Sequence, residues 1–233
     1  MKDIFNKANL PRLILLFVTA VAITVTTVLC GQSFIRIIPL YVSLFIGLLQ
    51  SRVNRYAPLI GGVNSIFYAL VYFYYGLTAN AFYALLFSFP LQIITFIRWT
   101  RNKQGSTTTL RKMRWWQRGV VLLGFAVAYV TVVLILKLIG SEYAILDTAT
   151  SMLGILVSFL TMFAFVEYTV LQLVSGTTNI VLYVAMILGG TMEQVPYLIF
   201  SFYSMICLII AVPTAMKLYA AQRAKREAER AEG

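Results

Sequence analysis

Asn64-Ser-Ile-Phe-Tyr68 is followed, with Leu85 seventeen residues past Tyr68, by Leu85-Leu-Phe-Ser-Phe89, and the chain carries this pair of motifs twice. The second copy reads Asn179-Ile-Val-Leu-Tyr183, and Leu198-Ile-Phe-Ser-Phe202 begins fifteen residues past Tyr183. Upstream, Gly61 aligns with Gly176 and Ser43 with Ser158. Two matched motifs in one order at near-equal spacing argue for a duplication. Each copy reads as two apolar helices joined by a tight turn. The thinner upstream match extends the repeat to three helices, over roughly 34–100 and 147–217. Repeated apolar halves with polar residues at matching depth are a sign of a transporter whose site lies where the halves meet.

Outside the motifs, composition points to a membrane. Apolar residues make up 60% of the chain and charged residues 12%, about half the charge of a soluble domain. Runs long enough to span hydrocarbon cover 12–31, 34–50, 56–76, 79–99, 118–139, 147–165, 168–189 and 191–216. The expected fold is therefore an all-α integral membrane protein with eight transmembrane helices. No segment is long and polar enough to form a soluble domain.

The net charge of +11 raises the question of nucleic acid, and the placement of the charges answers it. With the amino terminus in the cytoplasm, seventeen lysines and arginines fall on the inner side. They cluster at 2–12, 52–55, 98–118 and 217–230. Only Arg36 and Lys137 fall outside. This asymmetry follows the positive-inside rule. It predicts both termini in the cytoplasm and the inner membrane as the location. Anionic lipid, and not nucleic acid, is the partner of the basic face.

Three spans reverse the direction of the chain. The single span 118–139 between the repeats restores it, so the two repeats are parallel, about an axis along the membrane normal. The expected organisation has five parts. They are an amino-terminal segment and extra helix (1–33), repeat 1 (34–100), a basic loop and linking helix (101–139), repeat 2 (140–217) and a charged tail (218–233). Within the loop, Gly105-Ser-Thr-Thr-Thr109 reads as a flexible break, and Arg111 to Arg118 as a basic, aromatic anchor at the membrane interface. The tail reads as a solvated helical extension or a disordered end. Cys30 and Cys207 lie in or beside spans, without metal or disulfide spacing, and read as packing residues.

The chain has no histidine, which excludes the common zinc motifs and histidine-based nucleophilic catalysis. No Walker loop is present. No carboxylate lies mid-span, and Glu167, near an inner end, reads as a solvated span terminus. An enzyme and a bound cofactor are therefore not expected. Neutral polar residues do lie at depth. Asn64 and Tyr68 share one helix face, as do Asn179 and Tyr183. Gln92 sits mid-span beyond Pro90. Gln172 lies nearly two turns before Asn179 on the same side. Amides supply donors and acceptors, and tyrosines add a stacking surface with a polar tip. The set suits a neutral or weakly charged heterocycle bearing hydroxyls or an amide. The same residues also suit hydrogen bonding between helices.

Gly61 to Tyr68, Phe89-Pro-Leu-Gln-Ile-Ile-Thr-Phe-Ile-Arg-Trp99, Leu146 to Thr150 and the run from Glu167 to Tyr183 together resemble the Pnu-type vitamin transporters, over roughly 34–217. The resemblance implies a 3+1+3 parallel repeat of the SWEET type and a central site. It also implies facilitated diffusion of a vitamin precursor, nicotinamide riboside first, with trapping by an intracellular kinase. Other members carry thiamine or riboflavin, and a (deoxy)nucleoside is a further candidate. The family's glutamine in the third helix of repeat 1 corresponds to Gln92, and its asparagine in repeat 2 to Asn179. The expected substrate-binding set is Asn64, Tyr68, Gln92, Tyr168, Gln172, Asn179 and Tyr183. The family often carries tryptophans just before that asparagine, but none lies in Leu171 to Ser175. A stacking wall is thus missing or comes from Tyr168, Tyr183 or Tyr203. A substrate-binding subunit of an ATP-driven importer is the alternative class. A homo-oligomer is compatible with the pattern.

Overall fold

The computed structural model describes residues 10–74, 84–138 and 144–231. Among these are eight α-helices: α1 (Leu10–Leu29), α2 (Phe34–Gln50), α3 (Ala57–Tyr74), α4 (Phe89–Arg101), α5 (Trp115–Leu138), α6 (Ala144–Met162), α7 (Glu167–Leu188) and α8 (Val195–Ala231). A π-helical turn, Ala84–Ser88, leads into α4. The outer part of the 79–99 run, the boundary at 140, Lys2, Lys7 and Glu142 lie outside the described residues.

α1, α5, α7 and α8 are long and apolar enough to cross a membrane, and α2, α3 and α6 contain shorter apolar helices. Helices suit such runs because hydrocarbon offers no partner to an unpaired peptide group. Several hydroxyls inside them are satisfied the same way. Thr19, Thr95, Ser158, Thr161 and Ser201 each donate to the carbonyl one turn back,.

The helices pack in two groups. α3 lies between α2 and α4, and α7 lies between α6 and α8. The groups meet along two seams, α4 against α6 and α2 against α8. α1 packs across the second seam, on α8 and α2, and the core there holds Ile23, Ile37, Leu40, Leu44, Tyr203 and Cys207. α5 packs on α6 and is otherwise exposed. Gly61 and Gly176 play matching parts. A methyl group on Gly61 would come 3.1 Å from the Gln92 amide of α4, and one on Gly176 would come 3.2 Å from Met205 Cε of α8. The turns after α2 and α6 also match, because each contains a non-glycine residue with positive φ, Val53 (53°) and Ala164 (57°).

The linker departs from expectation. Lys103–Gln104 and Thr107–Thr108 form a two-stranded hairpin, β1 and β2, turned at Gly105 with φ of 61°. Thr107, Thr108 and Leu110 are buried. The stretch is ordered because its backbone has partners. Arg111 N–H donates to Ala164 O at 2.9 Å, and Val166 N–H donates to Arg111 O at 2.8 Å. The tail supplies the rest. α8 runs on to Ala231, and Gln222 is buried. Its Oε1 accepts from Leu110 N–H at 2.8 Å, and its Nε2 donates to Thr108 O at 2.9 Å. Glu167 is likewise no solvated terminus. It accepts from Met113 N–H and from Arg118.

Gln222→Ala removes both tail contacts and leaves two buried peptide groups unpaired. The expected loss is about 1–3 kcal/mol, read as a lower melting temperature with new protease cleavage at 102–110. Unchanged melting and cleavage would refute the clamp.

Candidate functional site

Between the two groups lies a cavity enclosing about 500 Å³, part of it open to solvent. α4 presents Leu91, Gln92, Thr95 and Trp99 to it, at the spacing of one helix face,. α6 presents Val157, Ser158 and Thr161 opposite. α7 adds Tyr168 and Gln172, and the end of α2 with the turn into α3 adds Gln50, Val53 and Asn54.

One end is walled by two rings. Trp99 is buried, and its Nε1–H donates to Thr161 O at 2.7 Å. That oxygen belongs to the last turn of α6, where helix carbonyls have no partner within the helix. The Tyr168 ring lies 6.1 Å from Trp99, tilted by 59°, within the favourable range for an aromatic pair. Val53, in its left-handed conformation, closes the same end. A β-branched residue there is strained.

Many of the hydroxyls lining the cavity are committed as donors. Thr95 donates to Leu91 O, Ser158 to Gly154 O and Thr161 to Val157 O. Their lone pairs remain able to accept. The Asn54 side chain accepts from Tyr56 N–H at 2.9 Å. Among the described residues, the amides of Gln50, Gln92 and Gln172 make no hydrogen bond within the protein, so each brings two donors and an acceptor. No lining residue is charged.

Of the seven residues expected from sequence, Gln92, Tyr168 and Gln172 come together here. Asn64 is buried between α3 and α2, where its Nδ2 donates to Ser43 Oγ at 2.8 Å. Tyr68 lies one turn further along α3. Asn179 donates to Ser175 O of its own helix at 3.0 Å. It shares a face with Gln172 but sits two turns away, about 10 Å along α7. Tyr183 packs its ring 5.9 Å from Tyr197 of α8. Beside it, Arg36 pairs with Glu193, which joins the start of α2 to the turn before α8. Tyr203 is no part of the wall. It is buried, and its hydroxyl donates to Leu44 O at 2.8 Å.

Trp99, Thr95, Ser158, Thr161, Gln50 and Asn54 were not anticipated as site residues. Gln92, Thr95 and Trp99 at i, i+3 and i+7 were the legible signal. A larger apolar groove of about 1150 Å³ lies on the other side of Gln92 and Ser158, between α4 and α6. Its walls include exposed Leu86, Phe87 and Phe159. It suits an acyl chain, whereas the amide-lined cavity suits a polar solute.

The family model for nicotinamide mononucleotide transporters matches residues 33–217. The chain belongs to this family. Its members are membrane transporters, so this family member moves a small molecule across a membrane. A solved structure described as the crystal structure of the vitamin B3 transporter PnuC matches its fold, with a TM-score of 0.72 over 91% of each chain. The two sequences are 18% identical. No curated protein sequence matches the chain.

Gly61 bears directly on the cavity, since it leaves room for the Gln92 amide. Gly61→Val should displace that amide and destabilise the α3–α4 contact by roughly 1–3 kcal/mol. Gly119→Ala, where a methyl group meets nothing within 4 Å, should be neutral or slightly stabilising. Equal melting shifts for the two variants would contradict the packing at Gly61.

Proposed function

We propose that this family member carries nicotinamide riboside across the inner membrane by facilitated diffusion, with phosphorylation inside the cell trapping the cargo. The observation that carries the reading is the uncharged, amide-lined cavity with an aromatic inner wall. Ribose hydroxyls and a carboxamide need donors and acceptors in place of water, because an unpaired polar group in an apolar site is costly. Gln50, Gln92 and Gln172 supply both. The pyridinium ring is a cation with a flat face, and Trp99 and Tyr168, which line the cavity, are rings of the kind that attract one.

The family's description names the mononucleotide. A phosphate would bring about two negative charges to a cavity lined by no cation. Desolvating them without a partner is strongly unfavourable. The unphosphorylated nucleoside is therefore the better cargo. No lining carboxylate is present to couple proton or sodium movement, so the reading is uniport.

We also read the eight helices as eight spans with both termini in the cytoplasm, and the two groups as parallel three-helix repeats joined by α5. The matched packing of Gly61 and Gly176 supports this. So do the two seams, each joining the third helix of one group to the first of the other.

Gln92→Ala and Gln172→Ala should each weaken nicotinamide riboside binding ten- to a hundred-fold, the equivalent of ~1–3 kcal/mol, at unchanged melting temperature. Asn179→Ala should cost less, since its amide is bonded within α7. Ligand quenching of tryptophan fluorescence should vanish in Trp99→Phe and survive in Trp115→Phe. If thiamine, riboflavin or a nucleoside binds in the same titration and nicotinamide riboside does not, the cargo is wrong.

Transport separates the remaining alternatives. Liposomes containing only this chain should equilibrate nicotinamide riboside without ATP and exclude the mononucleotide. Accumulation driven by a proton or sodium gradient would overturn uniport. A requirement for a separate ATPase would favour the importer-subunit class.

A further inference from the structure

The clamp between linker and tail encloses a polar cleft of about 440 Å³, well away from the substrate cavity. Lys103 of β1 faces it from one side, and Lys225 and Arg226 of α8 from the other, with Thr109, Gln222 and Glu229 between them. Segments more than a hundred residues apart thus bring three cations to one cleft. Like charges held together repel one another. The only carboxylate lining the cleft is Glu229, which pairs with Lys225 at 3.8 Å. Two positive charges are left over. The backbones that carry them are held together. Gln222 bonds Leu110 and Thr108, and Arg226 Nη2 reaches Leu110 O at 3.4 Å. Thr109 Oγ1–H donates to Asn102 O at 3.1 Å, so the donors facing the cleft are those of Lys103, Lys225 and Arg226. Lysine and arginine together form a donor set for phosphate oxygens.

We propose that this cleft binds the phosphate group of a soluble phosphomonoester and that its occupancy tightens the clamp. A lipid headgroup offers the same chemistry, but the position favours a soluble source. Lys225 lies eight residues past Lys217, about 12 Å further along α8. The cytoplasmic side of this position rests on the orientation proposed above. The clamp also reaches the cavity. The linker is bonded to Ala164 and Val166 in the turn between α6 and α7, and that turn joins Thr161 to Tyr168. Phosphate binding should therefore stiffen the inner wall.

The test uses the purified full chain in neutral detergent, titrated with inorganic phosphate and with adenosine 5′-monophosphate at constant ionic strength set by chloride. Both should bind and raise the melting temperature. Lys103→Gln/Lys225→Gln should weaken this binding at least tenfold, while nicotinamide riboside affinity stays unchanged. Glu229→Gln should tighten it, an opposite effect that misfolding cannot imitate. No phosphate binding, or binding indifferent to all three positions, overturns the proposal. A melting shift that needs phosphatidylglycerol nanodiscs and ignores free phosphate overturns the soluble source. The phosphate-binding and melting readouts do not depend on the cargo, so the site and the transport reading can fail separately.

Discussion

A methyl group on Gly47 would come within 3.0 Å of the Tyr203 ring, and that close approach sets how the two helix groups meet. It lets α2 and α8 lie tightly together, with the Tyr203 hydroxyl on the Leu44 carbonyl. α1 then covers the joint. Near it, Arg36 and Glu193 tie the start of α2 to the turn before α8. Packed small and aromatic residues hold membrane helices together where no hydrophobic drive distinguishes helix from lipid. The other seam, α4 against α6, is built differently. Its facing residues are Gln92, Thr95, Ser158 and Thr161, and the cavity lies there. One seam is filled by a ring, and the other is left open to a polar solute.

That asymmetry bears on how a carrier of this shape moves. A seam filled by a buried tyrosine and clasped by α1 resists separation, because parting it would unpair a hydroxyl in an apolar setting. The polar seam has less to lose. Its amides can exchange partners among ligand, water and each other at similar energy. Movement should therefore concentrate on α4 and α6, with the Trp99 bond to Thr161 as the contact that holds their C-terminal ends together. The strained Val53 beside that bond is consistent with an end of the cavity that has more than one arrangement,.

Much of this was legible in the sequence because the bilayer simplifies reading. An apolar run bounded by charges must be a helix, so the run 34–50 coincides with α2, and 168–189 differs from α7 by one residue at each end. The polar face of α7 was also visible through Gln172, and Gln172 and Tyr168 both line the cavity. The register along that face was not visible. Asn179 shares the face of Gln172, but the face passes from cavity to helix contact within two turns, where Gly176 lets Met205 of α8 close in. Periodicity gives direction around a helix and says nothing of which neighbour fills the space. Trp99 was obscured for a related reason. Tryptophans near a span end suit a membrane interface, and only the packing of α4 on α6 shows that this one turns inward.

The linker and the tail were the least legible, and their case shows what sequence polarity leaves out. Gly105-Ser-Thr-Thr-Thr109 has the composition of a flexible loop, and 218–231 that of a solvated helix. The two are tied together chiefly by one buried glutamine, Gln222. A pairing across more than a hundred residues leaves no periodic trace in either segment. It gives a role to the part of α8 that runs past its long apolar stretch. A basic loop of thirteen residues, 102–114, between two helices would otherwise cost entropy to order and would leave its peptide groups to water. Gln222 holds that loop to α8 and the Arg111 backbone bonds it to the turn between α6 and α7, so the two helix groups are joined through the linker as well as through the two seams.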